Sequence, residues 1–318
     1  MRFVVSGEAL VDLVPVEGGA TPFRSSWEAL SAGGPMNTAV ALARLGRPVE
    51  FLGRMSSDRF GDQLRAHLST NGVGLAEALV VQDPTSVAVV SLDEEGKASY
   101  AFHFAGTANF GWRPTELPGL AAGDWLHLGS LLTVVDPGAG VVLEWLRGCP
   151  AGVSLDVNVR PSVIPDPQEY WRRLEPWLQV VGERGGVAKG SDDDVRFLAA
   201  ADPGAPEDPL AVAAGWVERF GLSVFVLTLG PDGAAAVLPG GRVVRVPGHR
   251  VDVVDTVGAG DTFMAGFLAV HVDGDEPTGS DRLELALRTG AAASAIVCTR
   301  QGAQPPTQDE VAQLLAGA

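Results

Sequence analysis

The 318-residue sequence predicts a doubly wound α/β protein, a mostly parallel β-sheet covered by helices on both faces. Three observations carry that expectation. Short apolar runs recur along the chain with helix-patterned segments between them. Start and stop signals frame several of those segments: Pro35 opens the first, Gly46 follows it and Gly72 closes the next. Two stretches break the alternation, and both adjoin glycine-rich ground at Gly33, Gly34 and Gly106.

In chain order, strands are expected at Phe3–Ser6, Val49–Leu52, Trp125–Leu128, Val153–Val157, Val187–Lys189, Val224–Thr228 and Ala234–Val237, each a short apolar run. Helices are expected between them at Met36–Leu45, Asp58–Thr70, Val141–Leu146, Glu169–Val180, Pro209–Phe220, Thr262–Val270 and Arg282–Cys298. Of the two exceptions, Leu10–Ser31 is too irregular for a core helix. Ser86–Phe104 reads as a hairpin, VAVVSL and ASYAFHF flanking the acidic turn DEEGK. Residues 10–31 and 86–106 are therefore expected to form a small β lid, and residues 1–9, 32–85 and 107–318 the α/β core. A surface hairpin without functional movement is the other reading of the same pattern. Ala201–Asp208 reads as an acidic, proline-containing surface loop.

Apolar residues make up 46% of the chain, its formal charge is -16, and no basic stripe relieves that charge. Such a surface repels nucleic acid and anionic membranes. Cys149 and Cys298 lie far apart and lack metal-ligand spacing, which suits a reducing compartment. Glu8 and Asp12 interrupt the apolar start, no cleavage site follows it, and no run approaches membrane-spanning length, so a cytoplasmic protein is expected.

The chemistry is concentrated in Asp255–Asp261, DTVGAGD, between the apolar run Val251–Val254 and a helix-patterned stretch. Gly258, Ala259 and Gly260 let the backbone approach a ligand closely. At a helix start, free N–H groups and the macrodipole favour an anion such as phosphate. Asp261 is anomalous there, because the ligand that the site attracts repels a carboxylate; a proton-accepting role accounts for it. The same residues also fit a tight turn with Asp261 as an ordinary N-cap. No Walker-type loop is present, the chain has two lysines, and no GxGxxG opens the first βα unit, which argues against P-loop enzymes and dehydrogenases.

Read together, GEALVDLVP (Gly7–Pro15), AGGPMNTAVALARLG (Ala32–Gly46), LGRMSSDRFG (Leu52–Gly61), LDVNVRP (Leu155–Pro161), TLGPDGA (Thr228–Ala234) and DTVGAGDTFMAGF (Asp255–Phe267) resemble the ribokinase, or PfkB, family of carbohydrate kinases. The opening is similar to that of bacterial fructokinases. The resemblance implies a ribokinase-like three-layer α/β/α sandwich with a small β-sheet lid, and ATP-dependent phosphorylation of a sugar hydroxymethyl oxygen. A fructokinase is the expectation, with 2-keto-3-deoxygluconate kinase or ribokinase as alternatives. From another class, a catalytically silent sugar-sensing or scaffold member is weighed against it.

By the resemblance, Asp261 is the general base, and Gly258, Ala259 and Gly260 supply amides to the transferring phosphoryl group. Asp12, Gly33, Gly34, Asn37, Asn158 and Arg160 would bind the sugar, with His103 on the lid strand either touching it or sitting on the hairpin face. Asn37 has the competing reading of a polar helix residue bonding its own backbone. Arg160 suits a sugar carboxylate, but the lid strand Tyr100–Phe104 lacks the arginine of keto-deoxygluconate kinases, which leans toward fructose. Ser191, Thr228, Gly230, Gly233, Gly260, Ala291 and Ser294 would bind ATP; the small residues near Ala291 also suit close helix packing. Mg²⁺ is expected with ATP, reached by Asp194 through water, while Ser191 and Asp194 also suit a helix N-cap and first turn. Asp255 would hold a monovalent cation such as K⁺, or cap its turn. Sugar and ATP are the expected partners, with a homodimer through the lid.

Overall fold

The computed structural model describes residues 1–16, 18, 21–92, 98–272 and 280–317. In chain order its strands are β1 (Phe3–Ser6), β2 (Leu10–Pro15), β3 (Trp27–Ala32), β4 (Val49–Leu52), β5 (Arg54–Ser56), β6 (Leu79–Val81) and β7 (Val87–Leu92). They continue with β8 (Ala98–His103), β9 (Trp125–Gly129), β10 (Gly152–Asp156), β11 (Val187–Ser191), β12 (Val224–Thr228), β13 (Ala234–Val237) and β14 (Val243–Val246). The helices are α1 (Gly34–Arg44), α2 (Arg59–Thr70), α3 (Gly138–Gly148), α4 (Pro167–Glu183), α5 (Asp192–Ala199), α6 (Pro209–Phe220), α7 (Ala259–His271), α8 (Ser280–Cys298) and α9 (Gln308–Ala316). The turn of the expected hairpin, Asp93–Lys97, lies outside the described residues.

The main sheet runs β14-β13-β12-β11-β10-β9-β1-β4, parallel from β4 to β12 and antiparallel at the β13–β14 edge. Its parallel strands are buried on both faces, which is why β1 and β12 read as nearly unbroken apolar runs. On one face, Leu128 and Leu155 pack with Tyr170, Trp177 and Val217 from α4 and α6. On the other, Phe3 and Phe51 pack with Met36, Leu64, Phe267 and Leu287 from α1, α2, α7 and α8. Two cores on opposite sides of one sheet make three layers.

Helix boundaries follow side-chain chemistry. Asp58 accepts from Gly61 N at 2.8 Å to start α2, and Gly221, with φ 77°, ends α6 in the left-handed region. β5, β6, β14 and α9 were not among the expected elements, and of α5 only the start was read, with Ser191 as N-cap and Asp194 in the first turn. β14 is an edge strand, VVRV, whose arginine breaks the apolar run. The two helices have 8 and 9 residues, too few for a strong 3.6-residue period, and each starts on a capping box, Ser191 with Asp194 and Thr307 with Glu310.

The segment expected to be irregular, Leu10–Ser31, contains β2 and most of β3. These join the hairpin β7–β8 in a separate four-stranded sheet ordered β3-β2-β7-β8. This small sheet hangs from the carboxyl end of β1 through Gly7–Ala9 and re-enters the core through Gly33. At Gly33, φ is 127°, and a Cβ would lie 2.4 Å from the Glu8 carbonyl oxygen, so only glycine fits. Among the described residues no helix is long and apolar enough to cross a membrane.

Helices α7 and α8 pack closely enough to need glycine. A Cβ on Gly290 would stand 2.8 Å from the Phe263 carbonyl oxygen and 3.2 Å from its ring. Gly290→Ala is therefore expected to destabilise the protein by about 1–3 kcal/mol, the usual cost of overpacking. Urea unfolding measures it; a loss below about 0.5 kcal/mol would show that the helix pair tolerates separation.

Candidate active site

A cleft of about 340 Å³ opens at the carboxyl ends of β1, β9, β10 and β11, under the small sheet. Sheet order reverses direction between β1 and β9, since β4 lies on one side of β1 and the later strands on the other. Such a switch point leaves a crevice between diverging connections, where α/β proteins bind ligands. Asp12, Gly33, Gly34, Asn37, Asn158, Arg160, Gly258, Ala259, Gly260 and Asp261 all line this cleft. Residues scattered over some 250 positions of sequence thus meet in one place.

Asp261 sits in the first turn of α7, 7% exposed. Asn37 Nδ2 donates to its Oδ2 at 2.9 Å, and Asn158 Nδ2 lies 3.5 Å from its Oδ1. Its own backbone carbonyl accepts from Thr38 Oγ1 at 3.4 Å, tying α7 to α1. Burial raises the pKa of Asp261; the Asn37 hydrogen bond and the charges of Lys189 and Arg160 oppose that, and the net position stays above the ordinary aspartate value. Gly34 makes this approach feasible, because a Cβ there would lie 2.8 Å from Asn158 Nδ2 and 3.1 Å from Asp261 Oδ1.

Gly258 precedes α7 in the left-handed region, φ 76°, and no side chain caps the helix. The amides of Gly258, Gly260 and Asp261 have no acceptor among the described residues, whereas Ala259 N reaches Thr256 O at 3.2 Å. Asp261 is therefore not an N-cap: Gly258 holds that position, and the carboxylate is free for the cleft. Lys189 lies directly beneath, 2.8 Å from where a Gly260 Cβ would stand. Its Nζ donates to Asp156 Oδ2 at 2.8 Å in a buried ion pair. Burial works against the ammonium, but Asp156, Asp194 and Asp261 outweigh it and hold its pKa above the ordinary lysine value.

Two further carboxyls face Arg160. Burial pushes Asp12 up to about 6, against the attraction of Arg160. Glu8, 2% exposed, is pushed up to about 7 by burial, opposed by the Ser130 hydroxyl, its own amide and Arg160. A carboxylate held between two amide donors, next to unblocked amides, can take a proton from a hydroxyl while those amides receive charge on the group being transferred.

A family model for pfkB family carbohydrate kinases matches residues 2–310. The chain belongs to that family. A fructokinase of Klebsiella pneumoniae is 31% identical over 317 residues, spanning 98% of both chains. Among solved structures, a Xylella fastidiosa fructokinase with bound ATP superposes with a TM-score of 0.85 at 27% identity, covering 99% of this chain and 98% of that one. A Vibrio cholerae fructokinase bound to fructose, ADP and calcium gives 0.84 at 26%, with the same coverages. The fold is thus that of the carbohydrate kinases the sequence resembled, and the protein is a sugar kinase, a phosphotransferase with an alcohol group as acceptor.

In this kinase, the remaining expected residues lie outside the cleft. His103 is exposed on β8, and alternation along the strand sends Tyr100 and Phe102 to the cleft and His103 to the opposite face. Thr228 ends β12, Gly230 opens a 3₁₀ turn, and Gly233, φ 95°, would place a Cβ 2.2 Å from Val246 O. Ala291 packs into the core, while Ser294, on the same helix, is half-buried. Ser191 caps α5, its Oγ accepting from Asp194 N at 3.0 Å. Both Asp194 oxygens accept amides, Oδ1 from Val159 at 2.9 Å and Oδ2 from Ser191 at 2.8 Å. Asp255 likewise accepts from Val257 N at 3.0 Å and Gly302 N at 2.8 Å, which caps its turn. Among the described residues no group of three or more His, Cys, Asp or Glu is placed to hold a metal.

Sequence reasoning missed Glu8, Lys189 and Thr256 as cleft residues. A signal existed for two of them: Glu8 and Lys189 are charged residues at the ends of apolar strand runs, where only a paired or functional charge is retained.

Removing the carboxyl tests its role. Asp261→Ala is expected to lower kcat by about 10²–10⁴-fold, the range for a general base, with sugar binding by calorimetry little changed. In the parent, activity is expected to fall as pH drops and Asp261 takes up its proton, so the acid limb of kcat/KM, which reports the free enzyme, should lie above the ordinary aspartate value of about 3.9. Near-parental kcat in the alanine variant would remove the assignment.

Proposed function

We propose that this carbohydrate kinase is a fructokinase. On this reading Asp261 accepts the proton of the terminal hydroxymethyl group, and the freed oxygen pair bonds to the γ-phosphorus of ATP. The bond from that phosphorus to the ADP oxygen breaks, and the proton stays on the carboxyl until solvent takes it. Gly258, Ala259 and Gly260 form the turn that offers the amides of Gly258, Gly260 and Asp261 to the phosphoryl oxygens. The observation that carries the proposal is the aim of Asp261: Asn37 and Asn158 hold its carboxyl at the cleft beside those open amides.

The preference for a neutral sugar is supported by the lid strand. On the lid strand, Tyr100–Phe104 carries no arginine that could pair with a sugar carboxylate, and Tyr100 and Phe102 line the cleft instead. Asp12, Asn37 and Asn158 offer the mixture of acceptors and donors that hydroxyls need, and Tyr100 and Phe102 supply apolar walls. The small sheet would act as a lid over the sugar. Thr228, Gly230, Gly233, Ala291 and Ser294 would border the nucleotide.

Mg²⁺ would arrive with ATP and supply charge neutralisation at the phosphates. Ser191 and Asp194 suit a contact through water, because the Asp194 oxygens already hold amides and retain only their second lone pairs. Asp255, with the same occupancy, would accept K⁺ on those terms; a double mutant of the Vibrio cholerae fructokinase was solved with potassium.

A homodimer through the lid is supported by exposed apolar side chains in or beside β3: Phe23 at 98%, Trp27 at 44% and Leu30 at 36%. Sedimentation velocity is expected to show a dimer that Trp27→Glu converts to monomer; a monomeric parent overturns it. For the substrate, ADP release is measured with fructose, 2-keto-3-deoxygluconate and ribose. The highest kcat/KM is expected with fructose. Turnover confined to the sugar acid would favour the keto-deoxygluconate reading, and none with any sugar a silent family member.

A further inference from the structure

We infer that Tyr170 and Asp194, neither of which lines the cleft, are positioning residues that clamp the loop carrying Asn158 and Arg160. The inference rests on the proposed role of that loop in holding the sugar. After β10 ends, three successive tethers tie residues 157–160 to three different elements. Val157 N donates to Lys189 O of β11 at 2.9 Å, Val159 N to Asp194 Oδ1 of α5 at 2.9 Å, and Arg160 N to the Tyr170 hydroxyl of α4 at 3.2 Å. The residue between the first two, Asn158, has φ 34°, a backbone region that costs a non-glycine residue free energy. Such a conformation persists only when its surroundings hold it, and here they hold the amide on either side.

What the clamp presents is the substrate face. Asn158 reaches toward Asp261 Oδ1, and Arg160 lines the cleft with Asp12 and Glu8. Tyr170 is fully buried, 0% exposed, with its ring edge-to-face on Phe197 at 5.7 Å. Core packing explains the ring but not the hydroxyl, whose hydrogen-bond partner among the described residues is the Arg160 amide. Asp194 does more than cap α5. Its Oδ1 grips the sugar-side loop while its Oδ2 holds Ser191 N, so one carboxylate joins the loop to the end of β11.

Tyr170→Phe removes only the hydroxyl and keeps the ring. Hydrogen exchange on the full chain without ligand is expected to show the Arg160 and Val159 amides exchanging about tenfold faster in the variant, the size of one lost buried hydrogen bond, with Leu155 and Asp156 of β10 unchanged. Asp194→Ala should do the same at Val159. Unchanged exchange in both variants overturns the clamp, whatever the sugar. Kinetics with fructose then test its use. Tyr170→Phe should raise the KM for fructose or lower kcat, for a loss in kcat/KM of about tenfold, while the KM for ATP stays within about twofold. Faster exchange with unaltered fructose kinetics, or equal losses for both substrates, overturns the positioning role. If the parent turns over no fructose, the substrate proposal fails and hydrogen exchange still decides the clamp.

Discussion

Everything at this site depends on keeping one buried carboxyl aimed and ionisable. Asp261 is almost removed from water, which disfavours its charge, yet in the role proposed for it the carboxyl would accept a proton beside the phosphates of ATP. The protein answers with two amide donors, Asn37 and Asn158, and with a buried cation, Lys189, below the same turn. Lys189 is itself held by Asp156, because an ammonium buried without a partner would be too costly. The acidic chain thus places one of its two lysines among the carboxylates of Asp156, Asp194 and Asp261.

Close approach is the second constraint. Asp261, Asn158 and α1 meet only because Gly34 has no Cβ, and Lys189 reaches the turn before α7 only because Gly260 has none. These glycines are spatial requirements, distinct from the many that merely end helices. The same constraint acts at Gly33 and Gly258, where a Cβ would stand 2.4 Å from the Glu8 carbonyl oxygen and 2.7 Å from the Ala303 side chain.

The alternation of apolar runs and helix signals made the main sheet legible; the terminal strand β14 and the short helix α9 escaped because few residues carry each period, and α5 was legible only as a cap at Ser191. The cleft was legible where short motifs place the chemistry, as at Gly33–Asn37 and Gly258–Asp261. Glu8 and Lys189 were visible as letters but not as site residues, since their significance comes from neighbours on other strands. His103 had two readings because a hairpin pattern does not say which of two alternating faces turns inward; Phe102 and Tyr100 take the inward face, and His103 sits on the other.

By itself, the sequence determined the α/β layering, the glycine turn before α7 and the identity of its acidic residue, because hydrophobic period and backbone permissiveness are local properties. Only the tertiary structure decided that Gly258 holds the N-cap position and leaves Asp261 to the cleft, that Lys189 lies under Gly260, and that Asp194 and Tyr170 grip the Asn158 loop. Those facts are set by distances between β1, β10, β11, α4 and α7, and distances across a sheet are fixed by packing rather than by any one stretch of chain.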